Sequence, residues 1–322
     1  AEGCLTGRAL PFGACIKEAL PVVGGRVLMG LEVDDLELSA LNAAFIEEVA
    51  GCVGIVRRPL PFTRMRRGLK AKAVFETRLR ALIPERRRTG GADFFSQMCR
   101  ATDEEGASWS EKEIFDHFNF LMLAGHDTTA SALTTLVWGI GAGAPDWQAA
   151  LRDEVDRTRT RLMAAFAAGD APAMHAILGE MRLTAQTFEE AMRFRPPVPF
   201  VSRRALRPFR WNGIAIPQGT FLSVPMAILM MDQRHFAEPG RFDPSRFGPD
   251  RAEQRGAPSP FVGFGGGAHK CIGMHFSYHQ VKIVVSALLS RYRIEVLEPD
   301  PDWTLAPITR PRDGLPVVLR PR

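Results

Sequence analysis

The sequence predicts a single, mainly helical domain with a small β region. Three observations predict it. Apolar residues recur at helical spacing through most of the first 195 positions, short alternating segments with turn signals follow, and one further amphipathic helix precedes the tail. The chain has 322 residues, 46% of them hydrophobic, so it can bury a sizeable core and is neither disordered nor fibrous. The expected domain spans 1–322, with a helical body at about 14–195 and 273–292 and minor β regions at about 198–225 and 294–319.

The first part of the chain predicts three helices, at 14–29, 37–52 and 66–88, and a short helix candidate at 93–98. Pro59 and Pro61 separate the second helix from the third, and the glycine pair at 90–91 ends the third. No strand is expected in the first 140 residues.

A long helix is predicted from Ser110 to about residue 140. Ser110 and Glu113 have the spacing of a capping box, which marks a helix start. Gly125 interrupts the pattern. Three shorter helices follow at 146–161, 173–181 and 184–195, and a proline pair at 196–197 ends the last.

The β region begins after Pro199. Segments 209–216 and 221–225 are short and bounded by turn residues, which predicts a small sheet. Segment 232–260 is rich in proline, glycine and charge and predicts packed irregular structure. The helix at 273–292 carries an apolar face, and 294–319 predicts short strands and turns.

Composition excludes several classes of protein. The net charge is +5, with much of the excess in segment 57–88, but no nucleic-acid recognition motif accompanies it. The sequence contains no apolar run of 18 residues, so it predicts no membrane span. The five cysteines are scattered and odd in number, which predicts a reducing, cytoplasmic setting rather than a disulfide framework.

Cys271 lies in a glycine-rich loop directly before the helix at 273–292. Small residues allow another body to approach the backbone, and a helix N-terminus favours a thiolate. A lone thiolate beside room for a large flat group suggests an axial haem ligand. Two alternatives are a buried hydrophobic cysteine and a phosphate-binding loop; the latter would have Ser or Thr where Cys271 follows Lys270.

Two further segments carry candidate site residues. In 124–129, glycine and threonines can open a groove in the long helix, where a carboxylate beside a hydroxyl is suited to moving protons; a kink with a packed threonine pair is the alternative. Glu190 and Arg193 share one helix face. Their apolar neighbours suggest a buried ion pair, although most such pairs are exposed.

The pattern Phe-x-x-Gly-x-His-x-Cys-x-Gly at 264–273 resembles the cysteine-ligand loop of the cytochrome P450 family. The resemblance implies the P450 fold, with Cys271 as the axial ligand of haem b, iron protoporphyrin IX. His269 and Arg203 are then the expected partners of the haem propionates. Arg204 is adjacent to Arg203 and would point to the other side of a strand, so one of the two arginines should fit. The remaining implied cofactor contacts from this loop are Phe264, Gly265 and Gly273.

The resemblance also assigns roles to the other two segments. Ala124 lies against the haem, Gly125 makes room for dioxygen, and Asp127 and Thr128 form the catalytic proton relay. A second group, Glu190, Arg193 and Arg246, is expected to lock the cysteine loop to the core.

The implied activity is insertion of one atom of O2 into an apolar small molecule that is lipid-, steroid- or terpenoid-like. Electrons would come indirectly from NAD(P)H through a reductase and a ferredoxin or flavodoxin, docked on a basic patch that includes Lys270 and Lys282. The protein is expected to be a cytoplasmic monomer. Candidate pocket residues are Phe118, Phe120, Met122, Leu123, 198–202 and 306–309.

The beginning of the chain departs from the family pattern. Family members carry an opening section before the helix at 14–29, so we expect a P450 fold that lacks its N-terminal part. Two alternatives stay open. One is a haem-thiolate peroxygenase or isomerase that uses no redox partner. The other is a truncated, non-catalytic remnant or ligand-binding haem protein.

Overall fold

The computed structural model describes residues 7–30, 35–52, 54–256 and 259–322. Helices dominate these residues, with small antiparallel sheets beside them. The helices are α1 (Phe12–Met29), α2 (Asp35–Cys52), α3 (Arg64–Thr89), α4 (Phe94–Cys99), α5 (Glu111–Trp138), α6 (Pro145–Ala167), α7 (Ala171–Glu180), α8 (Arg182–Phe194), α9 (Met226–Leu229) and α10 (Met274–Leu289). The strands are β1 (Ala9–Pro11), β2 (Val201–Arg204), β3 (Phe209–Trp211), β4 (Ile214–Ile216), β5 (Phe221–Val224), β6 (Tyr292–Val296), β7 (Trp303–Thr304), β8 (Arg310–Pro311) and β9 (Pro316–Pro321).

Local capping residues set the ends of the long helices. Thr63 begins α3, because its side chain accepts a hydrogen bond from the Arg66 amide, and Gly90 follows its last residue. The expected capping box at the start of α5 is present. Glu113 Oε2 accepts from the Ser110 amide at 2.8 Å, and Ser110 Oγ accepts from the Glu113 amide at 3.2 Å.

The described residues form two compact units, one comprising 16–127 and the other 7–15 together with 128–322. The unit at 16–127 buries an aromatic core between its helices. Phe95 and Phe118 meet with ring centroids 5.0 Å apart, and Phe45 and Phe75 meet at 5.8 Å. Aromatic pairs of this kind stabilise the fold by more than the burial of their apolar area alone.

The unit that includes 128–322 contains the sheets. Its largest sheet has the order β1-β9-β6, with all pairs antiparallel. Strand β1 contradicts the expectation that the first 140 residues are helical, which is wrong at Ala9–Pro11. Three residues are too few to show alternation, and Leu10 pairs with Val317, far away in sequence.

Helix α5 ends in a π-helical turn at Gly139–Gly143. Just before it, Trp138 stacks on Phe194, the last residue of α8, with ring centroids 5.3 Å apart. Phe242 packs edge-on against both rings at 5.8 and 5.9 Å. This aromatic group fixes the end of α8 beside the segment that carries Arg246.

Candidate active site

The loop that carries Cys271 is held by its own backbone. The Cys271 amide donates to the Phe264 carbonyl at 2.9 Å, and the Gly265 amide donates to the Val262 carbonyl at 2.8 Å. Gly265 and Gly267 have φ angles of 72° and 64°, in the left-handed region where a side chain is strained. The loop therefore requires glycine at both positions and presents an exposed, free Cys271 thiol shortly before α10.

The residues around this thiol fit a haem. Cys271 is exposed and forms no disulfide with the other described cysteines, and Ile272 beside it is 87% exposed, so an apolar surface adjoins the thiol. A Cβ added at Gly266 or Gly267 would meet no atom within 4 Å. The backbone is thus open to a flat apolar group, and the thiol is a suitable axial donor for its iron.

Two exposed side chains can meet carboxylates of such a group. Arg203 lies on β2, and its Nη1 donates to the Ser202 carbonyl at 2.8 Å, which leaves further guanidinium donors. His269 ends a 3-10 turn at Gly267–His269 and is also exposed. Both belong to the same compact unit as Cys271.

Helix α5 runs as an α-helix through the predicted relay segment. Ala124 and Gly125 are exposed, and a Cβ added at Gly125 would meet nothing within 4 Å. Thr128 is half-buried and its neighbour Asp127 has a side chain that is 16% exposed. Of these residues, Thr128 belongs to the unit of Cys271, and Ala124, Gly125 and Asp127 belong to the unit at 16–127.

Asp127 is held by two partners that the sequence did not reveal. Lys17 Nζ lies 2.6 Å from Asp127 Oδ1, and His126 Nδ1 lies 3.1 Å from the same oxygen. Burial acts to raise the pKa of Asp127, but His126 and Lys17 outweigh it and lower the pKa to about 2. Within the described residues, neither Asp127 Oδ1 nor His126 Nδ1 makes a well-aligned hydrogen bond, so charge attraction across these short distances holds Asp127 in place.

His126 connects back to the same lysine. Its Nε2 lies 2.9 Å from the Lys17 carbonyl, so that nitrogen donates and carries a proton. His126, Lys17 and Asp127 thus form one electrostatic cluster within the unit at 16–127.

A second cluster joins α8 to the segment after α9. Arg193 donates to Glu190 through Nε at 2.6 Å and through Nη2 at 2.8 Å. Arg246 Nε donates to Glu190 Oε1 at 3.1 Å. All three side chains are 0% exposed. The structure thus brings together the three residues expected to lock the cysteine loop.

Glu253 belongs to this cluster and was missed in the sequence. Its Oε2 accepts from Arg246 Nη1 at 2.7 Å, which balances the second buried arginine. The only available signal was its spacing of seven residues from Arg246, and no regular element predicts a contact there. Glu154 was missed as well. This buried carboxylate caps α8 by accepting from the amides of Leu183 and Thr184 at 2.7 and 2.9 Å.

Several candidate pocket and partner residues lie elsewhere than expected. Phe118 and Met122 are buried core residues of the unit at 16–127, whereas Phe120 is 68% exposed. Lys282 is buried, because its Nζ donates to the Leu178 carbonyl at 2.6 Å, and burial lowers its pKa. The prediction that Lys282 belongs to an exposed basic patch is therefore wrong, while Lys270 is exposed.

A cavity of about 590 Å³ lies in the unit that includes 128–322. Mostly apolar side chains line it, among them Pro199 of the predicted pocket segment 198–202, whereas the predicted catalytic and cofactor-binding residues are not part of its lining. The lining residues are Phe194, Arg195, Pro196, Pro199, Ala227, Ile228, Met231, Asp232, Trp303 and Leu305.

Comparison with known proteins identifies the family. The family model for cytochrome P450 matches residues 59–313, most of the chain. The chain belongs to the cytochrome P450 family. This P450 is 33% identical over 304 residues to the putative cytochrome P450 136 of Mycobacterium tuberculosis, covering 93% of this chain and 60% of that protein. It is 30% identical over 280 residues to the beta-amyrin 28-monooxygenase of Vitis vinifera, covering 83% and 56%.

Solved structures confirm the P450 fold. The retinoic acid-bound cyanobacterial CYP120A1 matches with a TM-score of 0.82 and 23% identity, covering 100% of this chain and 72% of that one. The heme domain of cytochrome P450DA matches with a TM-score of 0.82 and 21% identity, covering 98% and 69%. The chain thus spans about 60% of the length of the curated relatives that it matches. In the described part of the chain, no helix has the length and apolar character needed to cross a bilayer.

Proposed function

We propose that this P450 is a haem-dependent monooxygenase that inserts one atom of O2 into an apolar small molecule. The exposed Cys271 thiol, in a glycine loop held by its own backbone, carries this proposal. Cys271 would bind the iron, while His269 and Arg203 would meet the haem carboxylates. The bound haem supplies O2 activation at an iron whose thiolate ligand favours O–O cleavage.

The chain's own residues manage protons. The carboxylate of Asp127 is ionised at neutral pH, since its pKa is about 2, so it can accept a hydrogen bond from a water molecule that carries a proton inward from solvent. Thr128 follows directly on α5, and its hydroxyl is suited to pass that proton onward. The open surface at Ala124 and Gly125 leaves space beside the relay.

The substrate class rests on relatives and on the nature of the chemistry. Related proteins are named beta-amyrin 28-monooxygenase in Vitis vinifera and taurochenodeoxycholic 6 alpha-hydroxylase in Sus scrofa. Those names support a steroid-, terpenoid- or lipid-like substrate here. Electrons would pass from NAD(P)H through a reductase and a ferredoxin or flavodoxin, for which the exposed Lys270 beside Cys271 is a candidate contact. A cytoplasmic monomer stays a prediction.

The test is a carbon monoxide difference spectrum of the reduced, haem-loaded chain. A thiolate-ligated iron gives a strongly red-shifted Soret band, and we expect Cys271→Ala to abolish it. Cys52→Ala is the matched control, since Cys52 is also free and exposed. A red-shifted band that survives in Cys271→Ala would show that the ligand assignment is wrong.

A second measurement separates the monooxygenase from a peroxygenase. With both an electron-transfer chain and peroxide available in parallel reactions, the proposal requires faster turnover with the electron-transfer chain. The adjacent Asp127 and Thr128 support this outcome, because a proton relay serves O2 activation. Faster turnover with peroxide would favour the peroxygenase instead.

A further inference from the structure

Helix α10 carries a polar stripe that the proposed function does not use. His275, Tyr278, His279 and Lys282 are spaced so that they lie on one face of the helix. Within this stripe, the phenol of Tyr278 has a specific partner on another helix. Its hydroxyl donates to Glu189 Oε1 on α8 at 2.7 Å.

The Tyr278–Glu189 hydrogen bond lies in a poorly hydrated place. Burial raises the pKa of Glu189 and also that of Tyr278, so both groups have lost much of their contact with water. A hydrogen bond from a hydroxyl to a carboxylate is strong in such surroundings, and a buried carboxylate without it is costly. Glu189 also directly precedes Glu190, so this bond joins α10 to the part of α8 that carries the buried ion-pair cluster.

The ring of Tyr278 completes a group of three aromatic side chains. It meets Phe188 of α8 edge-on, with centroids 5.1 Å apart, and it lies 5.7 Å from the ring of Phe264. Phe188 and Phe264 meet in turn at 5.9 Å. Phe264 is the first residue of the cysteine loop, so two helices hold the start of that loop through its ring.

The backbone completes the connection to Cys271. The carbonyl of Phe264 accepts the amide hydrogen of Cys271 at 2.9 Å. A continuous series of contacts therefore runs from the Glu189 carboxylate, through the rings of Tyr278 and Phe264, to the backbone of Cys271. Each contact lies within a single compact unit.

We propose that Tyr278 is a positioning residue for the cysteine loop. Its hydroxyl, bound to Glu189, fixes the phenol ring; the ring fixes Phe264, and the Phe264 carbonyl fixes the Cys271 backbone. The inference rests on the proposed function only in taking Cys271 as the haem ligand. Helix α10 then has a second role besides packing, because the Tyr278 hydroxyl determines the position of the cysteine loop.

The first test measures amide hydrogen exchange in the haem-free chain. Tyr278→Phe keeps the ring and removes only the hydroxyl. We expect exchange of the Cys271 and Gly265 amides to accelerate about tenfold, while the β6–β9 sheet changes less than about twofold. Tyr292→Phe, which alters the other of the chain's two tyrosines, is the matched control and should leave the loop unchanged.

Two results of that experiment would overturn the proposal. Unchanged exchange at Cys271 would show that the hydroxyl does not hold the loop. Equal acceleration in the loop and in the sheet would show a general loss of stability. Glu189→Gln tests the same bond from the other side and is expected to accelerate the loop amides as well, so the question stays answerable if Tyr278→Phe does not fold.

The second test uses the haem-loaded protein. We expect Tyr278→Phe to lower the fraction of the red-shifted carbonyl Soret band, and Tyr292→Phe to keep it. A wild-type fraction in Tyr278→Phe would overturn the role in ligand placement. If the wild-type chain itself gives no such band, the proposed function fails, and the exchange experiment still decides whether Tyr278 positions the loop.

Discussion

Arg246 Nε lies 3.1 Å from Glu190 Oε1, although 56 positions separate the two residues in sequence. Both are fully buried, and neither charge stands alone. Arg193 pairs with the same glutamate, and Glu253 pairs with Arg246 at 2.7 Å. Two carboxylates thus balance two guanidinium groups, and backbone carbonyls accept remaining protons, among them that of Ala237 from Arg246 Nη1 at 2.9 Å. Full pairing of this kind is what makes buried charge tolerable.

Removing one member of this cluster should be costly. In Arg246→Met, Glu190 and Glu253 lose a shared cation, and we expect the free energy of unfolding to fall by about 3–5 kcal/mol. Urea titration measures this change. Arg241→Met is the control, because Arg241 and Glu238 form an exposed pair at 3.5 Å, worth about 0–1 kcal/mol. A loss below about 1 kcal/mol for Arg246→Met would contradict the argument.

The Lys17–Asp127 pair predicts a pH-dependent change in stability. The pKa of Asp127 is lowered from 3.8 to about 2, so its ionised form stabilises the fold above about pH 4, and this contribution disappears as the pH falls towards 2. Lys17→Met removes part of the lowering. We expect a loss of about 1 kcal/mol at pH 7, after allowance for solvent screening, that shrinks below pH 4.

Unfolding by urea at a series of pH values measures the Lys17 effect. Lys112→Met is its control. Lys112 forms an exposed pair with Asp116 on α5, so its replacement should change stability little. A Lys17→Met deficit that stays constant from pH 7 to below the pKa of Asp127 would show that the variant acts through packing instead.

The proposed relay predicts uncoupled turnover in Thr128→Ala. Without the hydroxyl, protons reach the site less well, and we expect product formed per electron pair to fall about tenfold while peroxide release rises. Thr129→Val is the neighbouring control, because its side chain projects about 100° further around the helix. The ratio of product to electrons does not depend on the amount of folded enzyme. An unchanged ratio in Thr128→Ala would remove this residue from the relay.

Replacing each of two adjacent buried threonines on α5 by valine should change the free energy of unfolding in opposite directions. Thr135 Oγ1 is buried and has no hydrogen-bond partner in the described part of the chain, whereas Thr134 Oγ1 donates to the Ala130 carbonyl at 2.7 Å. Thr135→Val exchanges an unpaired hydroxyl for a methyl group and is expected to raise the free energy of unfolding by about 1 kcal/mol. Thr134→Val is expected to lower it by about the same amount. Equal effects of the two variants in urea titrations would contradict this assignment.

Features encoded within a few residues were predictable from the sequence. Ser110 marks a helix start because capping depends on neighbours three positions away. The pairing of Glu190 with Arg193 follows from helical spacing for the same reason. The need for glycine at positions 265 and 267 in the Cys271 loop is likewise a local feature, because a left-handed φ is a property of a single residue.

Features that depend on distant partners were not predictable. Lys17 and His126 are 109 positions apart, and nothing in either segment indicates that they meet. Strand β1 exists only because β9 accepts it as a partner. Lys282 is buried because a carbonyl of another helix lies within reach of its amine, which no helical pattern reveals.

The balanced charges around Glu190 also have a consequence for how the sequence can evolve. A lineage that replaces Glu190, Arg193 or Arg246 by one mutation passes through an intermediate whose fold has lost several kcal/mol, on the order of the whole margin of a typical domain. Change at these positions therefore needs a near-simultaneous second mutation or a stability reserve gained beforehand. We expect positions 190, 193 and 246 to change far more slowly during evolution than the exposed Glu238 and Arg241.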